Sequence, residues 1–202
     1  MMLNRHYFRL EKRLLSIEKE LDSLSVKPSL SPQENLALEK MLIQLQIEWE
    51  HFVRRLILDS ATGKASNSTG VVYSTLSAPP KNREQALHRL LSTYPNNNRG
   101  HEPEWSHSNK AIDAATRLQL TNLPDISGLL GVTPWPLDEM RHLRNFIAHQ
   151  SKNSASVLRR KNMTSLSGKI FIPKIAFEHL SSGTKRYRRW TSFMITIARQ
   201  LV

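Results

Sequence analysis

Two runs of apolar residues, spaced alternately four and three apart, constrain the fold of this chain more than any other feature. This heptad spacing places all members of a run on one face of an α-helix. The sequence therefore predicts two long helices, which end near residues 25 and 58 and are joined by the short connector SVKPSLS as an antiparallel hairpin. The first run is Leu3, Tyr7, Leu10, Leu14, Ile17, Leu21 and Leu24, and the second is Leu38, Leu42, Leu45, Trp49, Phe52 and Leu56.

The start of the second helix is marked by the sequence Ser31-Pro32-Gln33-Glu34. A serine at the N-cap, a proline in the first turn and an acid three residues after the serine form a capping box. We therefore expect this helix to begin at about residue 32.

The remaining residues predict shorter helices and loops. Residues 59–81 are rich in small polar residues and predict a surface loop with one short extended piece, VVYSTL. The segment KIFIPKIAF favours a β-strand. Helices are predicted near residues 82–94, 109–121, 136–150 and 182–201.

The expected fold is an all-α bundle of about six helices that forms one domain over residues 1–202. We divide it into the helical hairpin 1–58, the loop 59–81, the helices 82–151 and a basic part, 152–202.

Composition excludes several classes of site. The chain has no cysteine, and its histidines form neither HxxxH nor HExxH spacing, so we expect no metal and no cofactor. No apolar run approaches the ~20 residues of a membrane span, and the first residues lack the apolar core of a signal peptide. We therefore expect a cytoplasmic protein without a membrane partner.

Positive charge is concentrated in the basic part. Of the net charge of +12, residues 152–202 contribute eleven Lys and Arg against the single acid Glu178, whereas residues 1–58 carry nine against eight. This imbalance predicts contact with a polyanion such as RNA, the alternative being a merely solvated basic surface. The expected RNA-binding cations are Arg141, Arg159, Arg160, Lys161, Lys185, Arg186, Arg188 and Arg189.

The sequence Arg144-Asn145-Phe146-Ile147-Ala148-His149 carries the candidate chemistry. A guanidinium can hold a phosphate with two hydrogen bonds, and an imidazole can move a proton near neutral pH, so the pair can cleave RNA without a metal. In the alternative interpretation, Arg144 makes a structural ion pair and His149 is solvated. At ~100° per residue, Arg144 lies about 140° around the helix from His149. We therefore expect a homodimer in which two copies of this helix complete one site.

This six-residue motif resembles that of the HEPN superfamily, in which an arginine, a polar residue and a histidine lie on a late helix of an all-helical domain. The resemblance extends over about residues 105–150 and includes the upstream helix WEHFVRRLI. It implies attack by the RNA 2′-hydroxyl on the adjacent phosphate. His149 would act as general base or acid, Arg144 would stabilise the developing charge, and Asn145 would position the phosphate or the imidazole.

Arg144 lies at the edge of the apolar face of its helix and needs an acidic partner, for which Glu48 or Glu50 is expected. His142 is a possible supporting residue, because it lies on the polar side of the motif helix near His149. The resemblance adds Glu48 as a possible catalytic acid and a biological setting. Small HEPN proteins act as toxins or antiviral effectors that a partner protein, such as an antitoxin, restrains. Three alternatives remain: a non-catalytic module that binds RNA or a nucleotide, a structural partner within a larger defence complex, and an oligomerisation scaffold.

Overall fold

The computed structural model describes residues 2–94, 101–164 and 168–202. These residues form nine helices and one two-stranded sheet, so the protein is mostly helical, as predicted. The described part of the chain contains more helices than the six expected, because several segments that read as loops form short helices. None of the described helices is long and apolar enough to cross a membrane.

The two longest helices are α1 (Asn4–Ser25) and α2 (Pro32–Ser60). Every member of both heptad runs is buried, which confirms the predicted core faces. The capping box is also confirmed. The backbone N–H of Glu34 donates to Oγ of Ser31 at 3.3 Å, and the backbone N–H of Ser31 donates to the Glu34 carboxylate at 2.8 Å.

The chain divides into two compact units, and each unit is assembled from segments that are far apart in the sequence. Unit 1 comprises Met1–Leu10, Trp49–Trp135 and Thr196–Val202, and unit 2 comprises Glu11–Glu48 and Pro136–Ile195. The four segments expected from the sequence therefore do not coincide with the units.

Unit 1 contains a β-hairpin and three short helices. Strands β1 (Ala65–Asn67) and β2 (Gly70–Val72) pair antiparallel within the segment predicted as a loop. The helices are α3 (Arg83–Ser92), α4 (Ser108–Arg117) and α5 (Leu123–Leu130), and α5 packs against α4. Helix α5 was not among the predicted helices, and Pro124 in its first turn is compatible with a helix there.

A buried charged cluster lies in unit 1. Asp59 is 3% exposed and accepts hydrogen bonds from Nε2 of His6 and Nη2 of Arg83, both at 2.6 Å. Burial by itself raises the pKa of Asp59, but the hydrogen bonds from His6 and Arg83 outweigh it and hold the pKa below its ordinary value of 3.8.

Unit 2 contains α6 (Leu137–His149), α7 (Lys152–Arg160), α8 (Ile172–Phe177) and most of α9 (Arg186–Gln200). α6 packs against α7. The segment expected to be a β-strand contains α8 instead. Pro173 explains the error, because it lacks a backbone N–H and fits the first turn of a helix, where that group needs no partner.

Candidate functional site

Helix α6 carries the motif and is held by an apolar stripe of Leu137, Met140, Leu143 and Ile147, all of which are buried. The helix ends at His149 because Gln150 adopts a left-handed conformation with φ of 44°. The predicted range, 136–150, therefore matches the observed helix to within one residue at each end.

Arg144 is half-buried and contacts its neighbour rather than an acid. Its Nη1 donates to Oδ1 of Asn145 at 3.2 Å, and this is the only hydrogen bond that the guanidinium of Arg144 forms with the described residues. Glu48 instead accepts a hydrogen bond from Nε2 of Gln44 at 2.8 Å. The expected ion pair of Arg144 with Glu48 or Glu50 is therefore wrong, and the guanidinium keeps donors that no carboxylate occupies.

His149 is the last residue of α6 and is exposed. Within the described part of the chain its imidazole has no hydrogen-bond partner, so its ring is accessible to a ligand. Because it lies about 140° around the helix from Arg144, one copy of α6 presents the two side chains in different directions.

His142 lies beside α7 and is half-buried. Burial and the neighbouring Arg141 lower the pKa of His142 below its ordinary value of 6.5, and Lys161 and Arg160 act in the same direction. Arg141 is paired with Asp138 at 3.3 Å. His142 is therefore a neutral imidazole at pH 7 within a cationic cluster.

Arg186, at the start of α9, was expected to bind RNA, and this expectation is corrected. Arg186 is 5% exposed, and its Nη1 donates to Glu139 of α6 at 2.7 Å, while its Nη2 donates to Glu178. Arg189 also donates to Glu139. These guanidiniums neutralise the half-buried carboxylate of Glu139 and the exposed carboxylate of Glu178, so they have a structural role.

Lys185 and Arg188 contact side chains of α1, although Arg188 also remains exposed. Nη2 of Arg188 pairs with Asp22 at 2.7 Å, and Nζ of Lys185 donates to Oγ of Ser25 at 2.6 Å. The cations at the N-terminus of α9 therefore already have protein partners, and no bound anion is needed to offset the helix dipole there.

Only some of the eight predicted RNA-binding cations have side chains free to contact a phosphate, and those lie in or just after α7. Arg159 donates from Nη2 to the carbonyl oxygen of Gly168 at 3.0 Å. Arg160 and Lys161 are exposed at the end of α7, and their side chains form no hydrogen bond or ion pair with the residues that the structure describes. These two are the cations of the predicted set that a phosphate can reach directly.

No role was predicted for Glu139, which in the structure joins α6 to Arg186 and Arg189 of α9. Glu139 lies in the first turn of α6 and accepts hydrogen bonds from both Arg186 and Arg189 of α9. An acid in the first turn of a helix is favourable in itself, so the sequence carried no signal of this second role.

Among the described residues, no group of three or more His, Asp or Glu side chains is arranged to hold a metal ion. No protein-family model, no curated protein and no solved structure matches this chain.

Proposed function

We propose that the protein is a metal-independent endoribonuclease of the HEPN type. The observation that carries the proposal is the environment of Arg144, which is held by the neutral amide of Asn145 and not by a carboxylate. A guanidinium without an acidic partner retains its full charge and its remaining donors for a phosphate. The exposed His149 on the same helix supplies a group that can transfer protons.

The proposed reaction is an internal transfer at phosphorus. The 2′-oxygen of the RNA forms a bond to the adjacent phosphorus as its proton passes to an imidazole, and the bond from phosphorus to the 5′-oxygen breaks. The departing 5′-oxygen receives a proton, so the products are a 2′,3′-cyclic phosphate and a 5′-hydroxyl. Arg144 would stabilise the charge that develops on the non-bridging oxygens.

A homodimer is part of the proposal, because the two groups project in different directions from a single α6. Two copies of α6 related by a two-fold axis would place Arg144 of one chain near His149 of the other. In each such pair the imidazole would take the proton from the 2′-oxygen and return it to the departing 5′-oxygen. By analogy with the family, such an enzyme would serve as a toxin or an antiviral effector that a partner protein restrains.

The test is cleavage of a labelled single-stranded RNA in EDTA by the wild type and by His149→Ala and Arg144→Ala. We expect each substitution to lower the rate by about 10²-fold or more, because proton transfer and charge stabilisation each contribute at least this much. His88→Ala and Arg89→Ala are matched controls, since both residues are exposed on α3, and they should leave the rate unchanged. Product ends should be cyclic phosphates.

A second arm tests the shared site. Mixing Arg144→Ala chains with His149→Ala chains should restore part of the activity, because one of the two sites in the mixed dimer keeps both groups. Cleavage that survives both single substitutions would falsify the proposed function. RNA binding by the wild type without any cleavage would instead support the non-catalytic module.

A further inference from the structure

The exposed face of α1 is strongly basic, although the first 58 residues are nearly neutral by composition. All the cations of this helix are exposed, and none forms an ion pair with a residue that the structure describes. They are Arg5, Arg9, Lys12, Arg13 and Lys19. Only one exposed acid, Glu20, lies on the same helix. A continuous helix therefore presents an excess of positive charge to solvent.

This face arises because three of the four acids of α1, namely Glu11, Glu18 and Asp22, lie on its other flank, whereas Glu20 lies among the cations. Glu18 accepts a hydrogen bond from Thr191, and Asp22 accepts hydrogen bonds from Tyr187 and Arg188 of α9. At ~100° per residue, Glu18 and Asp22 lie within about 40° of each other, while the cations occupy an arc of about 120° on the opposite side. The basic C-terminal part thus neutralises the acids of α1 and leaves its cations free.

Two large apolar side chains border the same face. Phe8 is 61% exposed and Leu15 is 52% exposed. On the helical wheel both lie within about 40° of Lys19. Trp105, Tyr187 and Trp190 are all buried and cannot stack on a base. Among the described residues of α1, Phe8 is therefore the aromatic ring that a base can reach.

The dimensions of this face suit a nucleic acid strand. Arg5 and Lys19 are 14 residues apart, which corresponds to about 21 Å along a helix. With one phosphate per ~3.4 Å of a stacked strand, this length spans about six phosphates. Cations that track a strand beside an exposed aromatic ring are typical of single-strand binding surfaces.

We propose that the outward face of α1 is a binding surface for single-stranded RNA. The lysines and arginines contact successive phosphates, and Phe8 stacks on a base. A second copy of this chain is a poor occupant, because it would bring like charges together. A membrane surface is also disfavoured, because an interfacial helix needs a continuous apolar face and α1 exposes only Phe8 and Leu15 at the border of the cations.

The choice of RNA as the ligand of this surface rests on the proposed function. The experiment below nevertheless measures RNA binding separately from RNA cleavage. The probe is a fluorescent 12-nucleotide RNA, titrated with full-length protein that carries His149→Ala to prevent turnover. Lys12→Glu/Lys19→Glu is compared with Lys40→Glu/Lys110→Glu, which changes the net charge equally at exposed lysines of α2 and α4. Circular dichroism verifies that each variant is folded.

We expect the Lys12→Glu/Lys19→Glu pair to weaken RNA binding by about tenfold or more and to reduce the salt dependence by about 1.4 in log–log slope, which is the loss of two phosphate contacts. The Lys40→Glu/Lys110→Glu pair should change affinity by less than about threefold, because it alters only the long-range field. Phe8→Ala should weaken binding by about fivefold or more through loss of stacking. Leu15→Ala should not, since leucine has no aromatic face.

Equal effects of the two charge-reversal pairs would overturn the inference, because net charge alone would then explain binding. Binding to vesicles of phosphatidylcholine and phosphatidylserine that is lost equally in Phe8→Ala and Leu15→Ala, without RNA binding, would also overturn it in favour of a membrane. If wild-type protein cleaves RNA while the α1 variants bind normally, only this inference fails. If the α1 variants lose binding and wild type does not cleave, only the proposed function fails.

Discussion

Replacement of Arg186 by methionine separates a structural role from RNA binding most sharply. Arg186 is 5% exposed and bonds to both Glu139 and Glu178. Methionine retains most of the apolar stem and removes the charge together with both ion pairs. The substitution should therefore lower stability and leave RNA affinity unchanged at temperatures where the variant is folded.

The size of the stability loss in Arg186→Met depends on the ion pairs that Glu139 and Glu178 lose. Removing one partner of a fully buried pair costs roughly 3–5 kcal/mol, because the other charge is left buried. Here the side chain of Glu178 is 46% exposed, and Glu139 keeps its bond to Arg189. Water and Arg189 offset part of the penalty, so we expect a loss of about 2 kcal/mol, or a fall in Tm of about 4–8 °C.

Urea unfolding followed by circular dichroism measures the stability, and fluorescence anisotropy with labelled RNA measures the affinity. Arg189→Met is the matched control. Its side chain is 37% exposed and shares Glu139 with Arg186, so its loss should cost less than about 1 kcal/mol. An Arg186→Met protein that is as stable as wild type but binds RNA tenfold more weakly would refute this reasoning and restore Arg186 as an RNA contact.

Two further predictions concern buried titratable groups. Asp59→Asn should destabilise the protein by roughly 2–4 kcal/mol, because it removes the charge that binds His6 and Arg83. Because the pKa of Asp59 is lowered, its contribution to the free energy of unfolding is present above pH 3.8 and is lost as pH falls through the folded-state pKa. Urea unfolding at a series of pH values should show this loss for the wild type and not for Asp59→Asn. The pKa of His142 is also lowered, but for a base this means that the unfolded state binds the proton first. Wild-type stability should therefore decline as pH falls below 6.5, and His142→Gln should decline less when Tm is measured between pH 7 and 5.

Local spacing was sufficient to predict the long helices and the motif helix. The buried positions of α1 and α2 follow from a heptad repeat, and the capping box at Ser31 fixes the start of α2 through contacts only three residues apart. The edge position of Arg144 on α6 was also predictable from helical geometry. Short helices with a proline in the first turn, such as α8, were missed because the sequence favours strand and helix almost equally there.

The partners of the charged residues could not be predicted, because they depend on contacts between distant parts of the chain. Glu139 and Arg186 are 47 residues apart, and Asp22 and Arg188 are 166 residues apart. A count of charges by segment assigns the excess to residues 152–202, yet tertiary pairing neutralises several of those cations and leaves the cations of α1 exposed. Segment composition therefore identified the sign of the charge but not which of the cations remain unpaired.

The β-hairpin of unit 1 forms hydrogen bonds with residues that are synthesised far apart in time, so unit 1 can fold completely only after both have been synthesised. The backbone N–H of Leu3 donates to the carbonyl oxygen of Ser66 at 2.9 Å, and that of Ser68 donates to the carbonyl oxygen of Val202 at 3.0 Å. Because unit 1 uses residues 196–202, it cannot close on the ribosome until these residues have emerged. Contacts of such long sequence separation form slowly, and until then apolar residues that unit 1 buries are exposed to chaperones and to other nascent chains.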